Sequence, residues 1–136
     1  MSASTTDAGP VTLVLPPVAS MVRVGRLTAS SIASLADMSI DDIDDIKIAV
    51  SEMITLLIQS GNRAAITLRF ETTADAFSVE ASTPSGATSL GRNDLALATA
   101  VLEAVADEHQ IASTDDRILL RIVKQLTPQA TSAATV

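Results

Sequence analysis

Glu52 is the side chain whose type and setting stand out: a carboxylate with Ile48 one helical turn before it and Leu56 one turn after it. A carboxylate so flanked either covers a pocket or stands half-exposed beside apolar residues, where lack of a partner costs free energy. The plain alternative is a solvated glutamate on a strongly apolar helix. The other candidates offer less. His109 has only Asp107 and Glu108 beside it, and a metal site needs more ligands at suitable spacing, so it reads as a surface histidine. Ser82, Ser85 and Ser89 lack a histidine-based constellation for nucleophilic attack. There is no cysteine, which excludes thiol catalysis, cysteine–zinc sites and disulfides.

Glu52 must be positioned by the stretch Ser39 to Gly61, which reads as one helix of about five turns. Ser39 with Asp42 three residues on makes a start resembling a capping box, with Asp in place of Glu or Gln. Asp41, Asp42, Asp44 and Asp45 put negative charge where the helix dipole favours it. Gly61 followed by Asn62 is a stop. Ile43, Ile46, Val50, Met53, Ile54 and Leu57 form the side expected to face a core; Asp41, Asp45, Ile48, Glu52, Leu56 and Gln59 form the opposite side.

Around this helix the chain alternates in texture. Residues 1–10 are small and polar and are expected to be disordered. Val11 to Leu15 is a β-type run stopped by Pro16 and Pro17. Val18 to Leu35 repeats apolar residues at helical spacing, and Gly25 within it permits close approach of a neighbour. Ala65 to Glu71 and Ala76 to Ala81 alternate with period two across a short connection, a hairpin. Thr83 to Asn93 reads as a loop in which Gly86 and Gly91 are turn residues. Asn93 is expected to cap a third helix from Asp94 to Val105. A strand over Asp107 to Ala112 and a central strand beginning at Asp116, interrupted by Arg121 and Lys124, complete the order. Residues 127–136 are expected to be a flexible tail. Strand, two helices, two strands, helix and two strands make an α+β two-layer sandwich with three helices on one face of a mixed, mostly antiparallel sheet.

Composition narrows the function. The chain of 136 residues is expected to form one domain over 11–126, with a core built from aliphatic side chains, since Phe70 and Phe77 are its only aromatics. A formal charge of −7 and the lack of stacking platforms argue against nucleic acid as a partner. No run approaches the roughly 20 apolar residues of a membrane span, and no secretory signal is visible, so a cytoplasmic location without membrane attachment is expected.

Asp42 to Thr55, DIDDIKIAVSEMIT, resembles the N-box of the anti-sigma-factor serine kinases, members of the GHKL ATPases with the Bergerat fold. In that family the stretch commonly reads close to D-I-K-x-A-V-S-E-A-x-T-N-A. The agreement lies in Asp45-Ile46-Lys47, Ala49-Val50-Ser51-Glu52 and Thr55, and the order of elements over residues 11 to 126 agrees as well. The resemblance implies that Glu52 occupies the general-base position. It further implies a sigma factor and a STAS-domain anti-anti-sigma factor as partners, a homodimer, and ATP with magnesium as cofactors. A first-helix arginine is implicated in sigma contact in such relatives, which points to Arg26 by its spacing from Glu52, and to Arg23 beside it.

The chain departs from the family at the nucleotide. The residue four after the N-box Glu, an Asn that holds magnesium, is here Leu56, and an isobutyl group offers no oxygen ligand. The family's Asp-x-Gly-x-Gly box, whose Asp accepts from the adenine amine, has no counterpart, because no Asp or Glu occurs from Ala81 through Asn93. Of the later glycine-rich turn only Gly91 remains. The expectation is therefore an anti-sigma factor that binds its partners without ATP or magnesium, with Glu52 idle. The alternatives are an ATP-dependent protein serine kinase that phosphorylates the antagonist, and a degenerate subunit that only dimerises with an active relative.

Overall fold

The computed structural model describes residues 9–86 and 90–126. The expected N-terminal segment lies outside them apart from Gly9 and Pro10, and the expected tail 127–136 lies outside them altogether. The elements are β1 (Val11–Leu15), α1 (Met21–Leu35), α2 (Ile40–Gln59), β2 (Ile66–Thr72), β3 (Ala76–Pro84), α3 (Arg92–Val105), β4 (Glu108–Ser113) and β5 (Arg117–Gln125). They form a two-layer α+β sandwich whose sheet runs β1-β2-β3-β5-β4.

Every strand pairing is antiparallel, which corrects the mixed sheet expected from sequence. The connection β3–α3–β4 alone would set two strands parallel, but β5 inserts between β3 and β4 and pairs antiparallel with both. Strand β3 extends to Pro84, past the Ala81 at which its alternation stops, because β5 pairs with it along its whole length from Ala76 to Pro84. Helix α3 starts two residues earlier than expected: Gly91 is its N-cap, and Asn93 lies inside the first turn.

Helix α2 is the centre of the helical layer, packed against α1, α3, β3 and β5. Ser39 accepts a hydrogen bond from the Asp42 amide at 3.1 Å, so the capping serine acts as its sequence predicts. Gly61 has φ of 78°, the left-handed stop for which glycine is suited. Ile46, Val50, Met53, Ile54 and Leu57 are buried as expected, with Ile43 half-buried at the edge of the core. Leu56 is a correction: assigned by periodicity to the outer side, it is only 1% exposed. A helix flanked by two others on a sheet buries a wider arc than the stripe of a surface helix.

Gly25 marks the closest approach of α1 to this core. A Cβ built there would lie 2.3 Å from Ile54 Cδ1 and 3.2 Å from Leu68 Cδ1. The turn from α1 to α2 is also tight. The Asp37 amide donates to Ser34 O (3.2 Å) and the Met38 amide to Ala33 O (3.5 Å), with Asp37 at φ 58°. This is the Schellman pattern with Asp in place of the usual glycine, and Met38 tucks in behind it, 9% exposed.

Candidate functional site

The chemistry-bearing side chains suggested by the sequence lie along the surface of α2 and the helix beside it. Following the row Ile48, Glu52, Leu56, the helix passes from the surface into the core: Ile48 is 49% exposed, Glu52 half-buried and Leu56 buried. Among the described residues Glu52 makes no hydrogen bond or ion pair. On α1, Arg23 is exposed and Arg26 half-buried. Arg26 Nη1 approaches Ser51 Oγ at 3.5 Å, a long contact that holds the guanidinium beside Glu52's neighbour in sequence. The two helices therefore bring Arg26 and the N-box segment to one surface, with Arg23 one turn further along α1.

The end of β3, where an adenine-binding acid would be needed, is occupied by internal bonds. Thr83 Oγ1 donates to Ala65 O at 3.1 Å, and Ser82 Oγ accepts from Arg117. The Asn62 side-chain amide, just beyond α2, donates to Pro84 O, and its Oδ1 accepts from the Ala64 amide at 3.0 Å. Ser85 donates from its hydroxyl to Thr114 O and from its amide to Asp116 O, both at 2.8 Å. The strand end is thus tied to the α2 terminus on one side and to the β4–β5 turn on the other.

These residues do not fit magnesium-ATP. Leu56, which stands where the resembling family has its magnesium-holding Asn, is sunk among apolar groups, and the β3 end offers Ala81, Ser82 and Thr83 but no carboxylate. Among the described residues no three carboxylates or histidines group as a metal site, and no buried side-chain polar atom is left without a hydrogen-bond partner. His109 lies half-buried on β4, beside Gln110 and Arg121 in a shallow recess.

Lys124 is the polar residue whose role local pattern does not reveal. It lies on the same parity of β5 as the core residues Ile118, Leu120 and Ile122, so it points to the helical side. Its ammonium donates to Asp45 Oδ2 (2.8 Å) and to Val105 O (2.9 Å), and lies 3.6 Å from Asp42 Oδ1. One side chain, 11% exposed, therefore joins the start of α2 to the end of α3. Burial pulls its pKa down, but the Asp45 hydrogen bond and the charges of Asp45, Asp42 and Asp107 outweigh that and hold it above the ordinary value. Lys124→Met is expected to cost about 1 to 2 kcal/mol at neutral pH, the partly exposed partners being screened by water. Because the folded-state pKa is raised, this contribution is complete below the ordinary lysine value of 10.5 and lost as pH climbs through the folded-state value. Denaturant melts of both proteins across that alkaline range should converge; a difference independent of pH would remove the charge from the explanation.

No profile of a known protein family matches the chain. The serine-protein kinases RsbW of Listeria monocytogenes and Listeria innocua are each 53% identical to it over 45 residues, 33% of this chain and 29% of theirs. The chain thus matches less than a third of the length of these relatives. The crystal structure of the RsbU and RsbW domains of Rv1364c from Mycobacterium tuberculosis superposes on 88% of the chain with a TM-score of 0.69. That likeness covers 33% of the larger protein at 17% identity and therefore speaks for the fold.

Proposed function

From its relation to the anti-sigma factor and serine-protein kinase family of the GHKL ATPases, we propose that this chain is an anti-sigma factor acting by protein binding alone. In this reading it sequesters a sigma factor, is released by a STAS-type anti-anti-sigma antagonist, and uses neither ATP nor magnesium. The observation that carries it is the contrast between two regions. Leu56, which stands where the resembling family has its magnesium-holding Asn, is buried and the β3 end carries no carboxylate, while α1 leaves Arg23, Val24 and Leu27 on the surface, the last two 39% and 52% exposed. Arginine beside aliphatic side chains suits a protein contact, because its planar fork pairs with carboxylates while its neighbours exclude water. Sequestration of this kind needs no phosphoryl transfer, so Glu52 has no catalytic part in it.

Co-purification of the chain with a sigma factor from the same genome tests the reading. Arg26→Ala is then expected to cost about 2 kcal/mol of binding, roughly thirtyfold in affinity. Arg63→Ala, exposed between α2 and β2, should leave affinity unchanged. Equal binding by both variants would move the docking site off α1. If Arg26→Ala instead alters only the oligomeric state, the arginines serve a homodimer. Half-exposed Glu52 favours the kinase as the second reading, and transfer of phosphate to the antagonist would establish it.

A further inference from the structure

The corner between α1 and α2 bears the two most exposed large apolar side chains of the described residues, Leu35 at 76% and Ile40 at 78%. The Schellman turn reverses the chain so abruptly that neither side chain reaches the core. Between the corner and the sheet lies a recess of about 280 Å³, lined by Val11, Ile32, Leu35, Ala36 and Leu126 with the β2–β3 turn. A second, open recess on the other side of Asp37 is lined by Ser34, Met38 and Ile43. No lysine or arginine lines either one, whereas Asp37 lines both, the exposed Asp75 follows the lining residue Ala74, and the exposed Asp41 lies two residues before the lining residue Ile43.

We propose that this corner is a docking surface for an amphipathic helix of a protein partner, with an apolar ridge for the recess and lysines or arginines along its flanks. Exposed aliphatic anchors beside a concave apolar surface are what a helix-in-groove contact requires. Charge complementarity selects the occupant: the rim is acidic and the whole chain carries −7. A second copy would bring the same acidic rim against itself. Segments 1–8 and 127–136 join the fold at Gly9 and Leu126 near the recess, yet neither contains a lysine or arginine. Leu35 is eight residues along α1 from Leu27, about 12 Å at 1.5 Å per residue, so the corner lies beyond the C-terminal limit of the surface proposed for the sigma factor.

The probe is a fluorescein-labelled 18-residue peptide (length set at about five helical turns) of leucine and lysine at helical spacing, with a glutamate-for-lysine counterpart. Anisotropy is read with the full chain at physiological salt. The lysine peptide should bind and the glutamate peptide should not. Leu35→Ser with Ile40→Ser should weaken binding by about tenfold or more, the effect of losing a buried apolar anchor. Leu97→Ser, the next most exposed large apolar site among the described residues, on α3 at 61%, should not weaken it. Absence of binding, or equal weakening by Leu97→Ser, would overturn the proposal in favour of diffuse charge attraction. Two further outcomes would overturn it: a dimer that the double variant dissociates, which assigns the corner to a second copy, and peptide-free NMR shifts of residues 127–136 in that variant, which assign it to the chain's own tail.

Discussion

Leu56→Asn, the change that restores the residue type of a magnesium ligand, is expected to destabilise the protein by about 3 to 4 kcal/mol and to create no affinity for magnesium-ATP. Leu56 is 1% exposed, so the substitution removes a packed isobutyl group and strands an amide among aliphatic side chains. In a domain of this size such a loss lowers Tm by roughly 10 °C. The nucleotide would still lack its adenine acceptor, since the β3 end offers hydroxyls already engaged with Ala65 O and Arg117. Denaturant unfolding measures the first part and calorimetric titration with ATP and magnesium the second. Micromolar, magnesium-dependent binding by either the wild type or the variant would overturn the proposed function as well.

Gly25→Val should cost about 3 kcal/mol, at the upper end of the usual overpacking range. Even a single added Cβ meets Ile54 Cδ1 at 2.3 Å, and Ile54 is itself fully buried, so its methyl cannot swing aside into water. Helix propensity offsets little of this, because valine is β-branched. A second substitution separates crowding from other causes. Ile54→Ala alone opens a cavity and costs roughly 3 kcal/mol, yet combined with Gly25→Val it exchanges volume across the same contact. The double variant should therefore lose at least 1 kcal/mol less than the sum of the two single losses. Additive losses would show that the valine is harmful for a reason other than Ile54.

The element order was legible because each segment signals its own period. Ser39, Gly61 and the β-branched run of β5 mark their elements by local chemistry alone. What escaped local reading was decided by neighbours distant in the chain. Leu56 looks outward on an isolated helical wheel and becomes core only because α2 lies between α1 and α3. Gly91 rather than Asn93 caps α3, because the helix already begins at Arg92. The resemblance of Asp42 to Thr55 to an N-box drew attention to Glu52, but no periodicity could pair Lys124 with Asp45, 79 residues apart in sequence. Its only trace was a lysine on the core-facing parity of an apolar strand. Arg26 was singled out by the family resemblance, and the structure adds its contact with Ser51, which the resemblance does not contain.

Strand β1 differs from the rest of the sheet in a way that bears on how the molecule assembles. It has five residues, lies at an edge, and has β2 as its one strand neighbour. Both helices lie between the two strands in sequence, so their pairing must wait until α1 and α2 have folded back on each other and brought the ends together. The β2–β3 and β4–β5 hairpins carry no such delay. Like β4 at the opposite edge, β1 can detach while the remaining four strands keep their ladders, and no hairpin turn holds it to its partner. Such an opening would free Leu15, which packs 3.5 Å from the Cβ position of Gly25, and uncover the edge of β2. An order–disorder step at the first strand would therefore loosen the very helix that presents Arg23 and Arg26, making affinity for a partner on that helix depend on the fraction of molecules whose edge is closed.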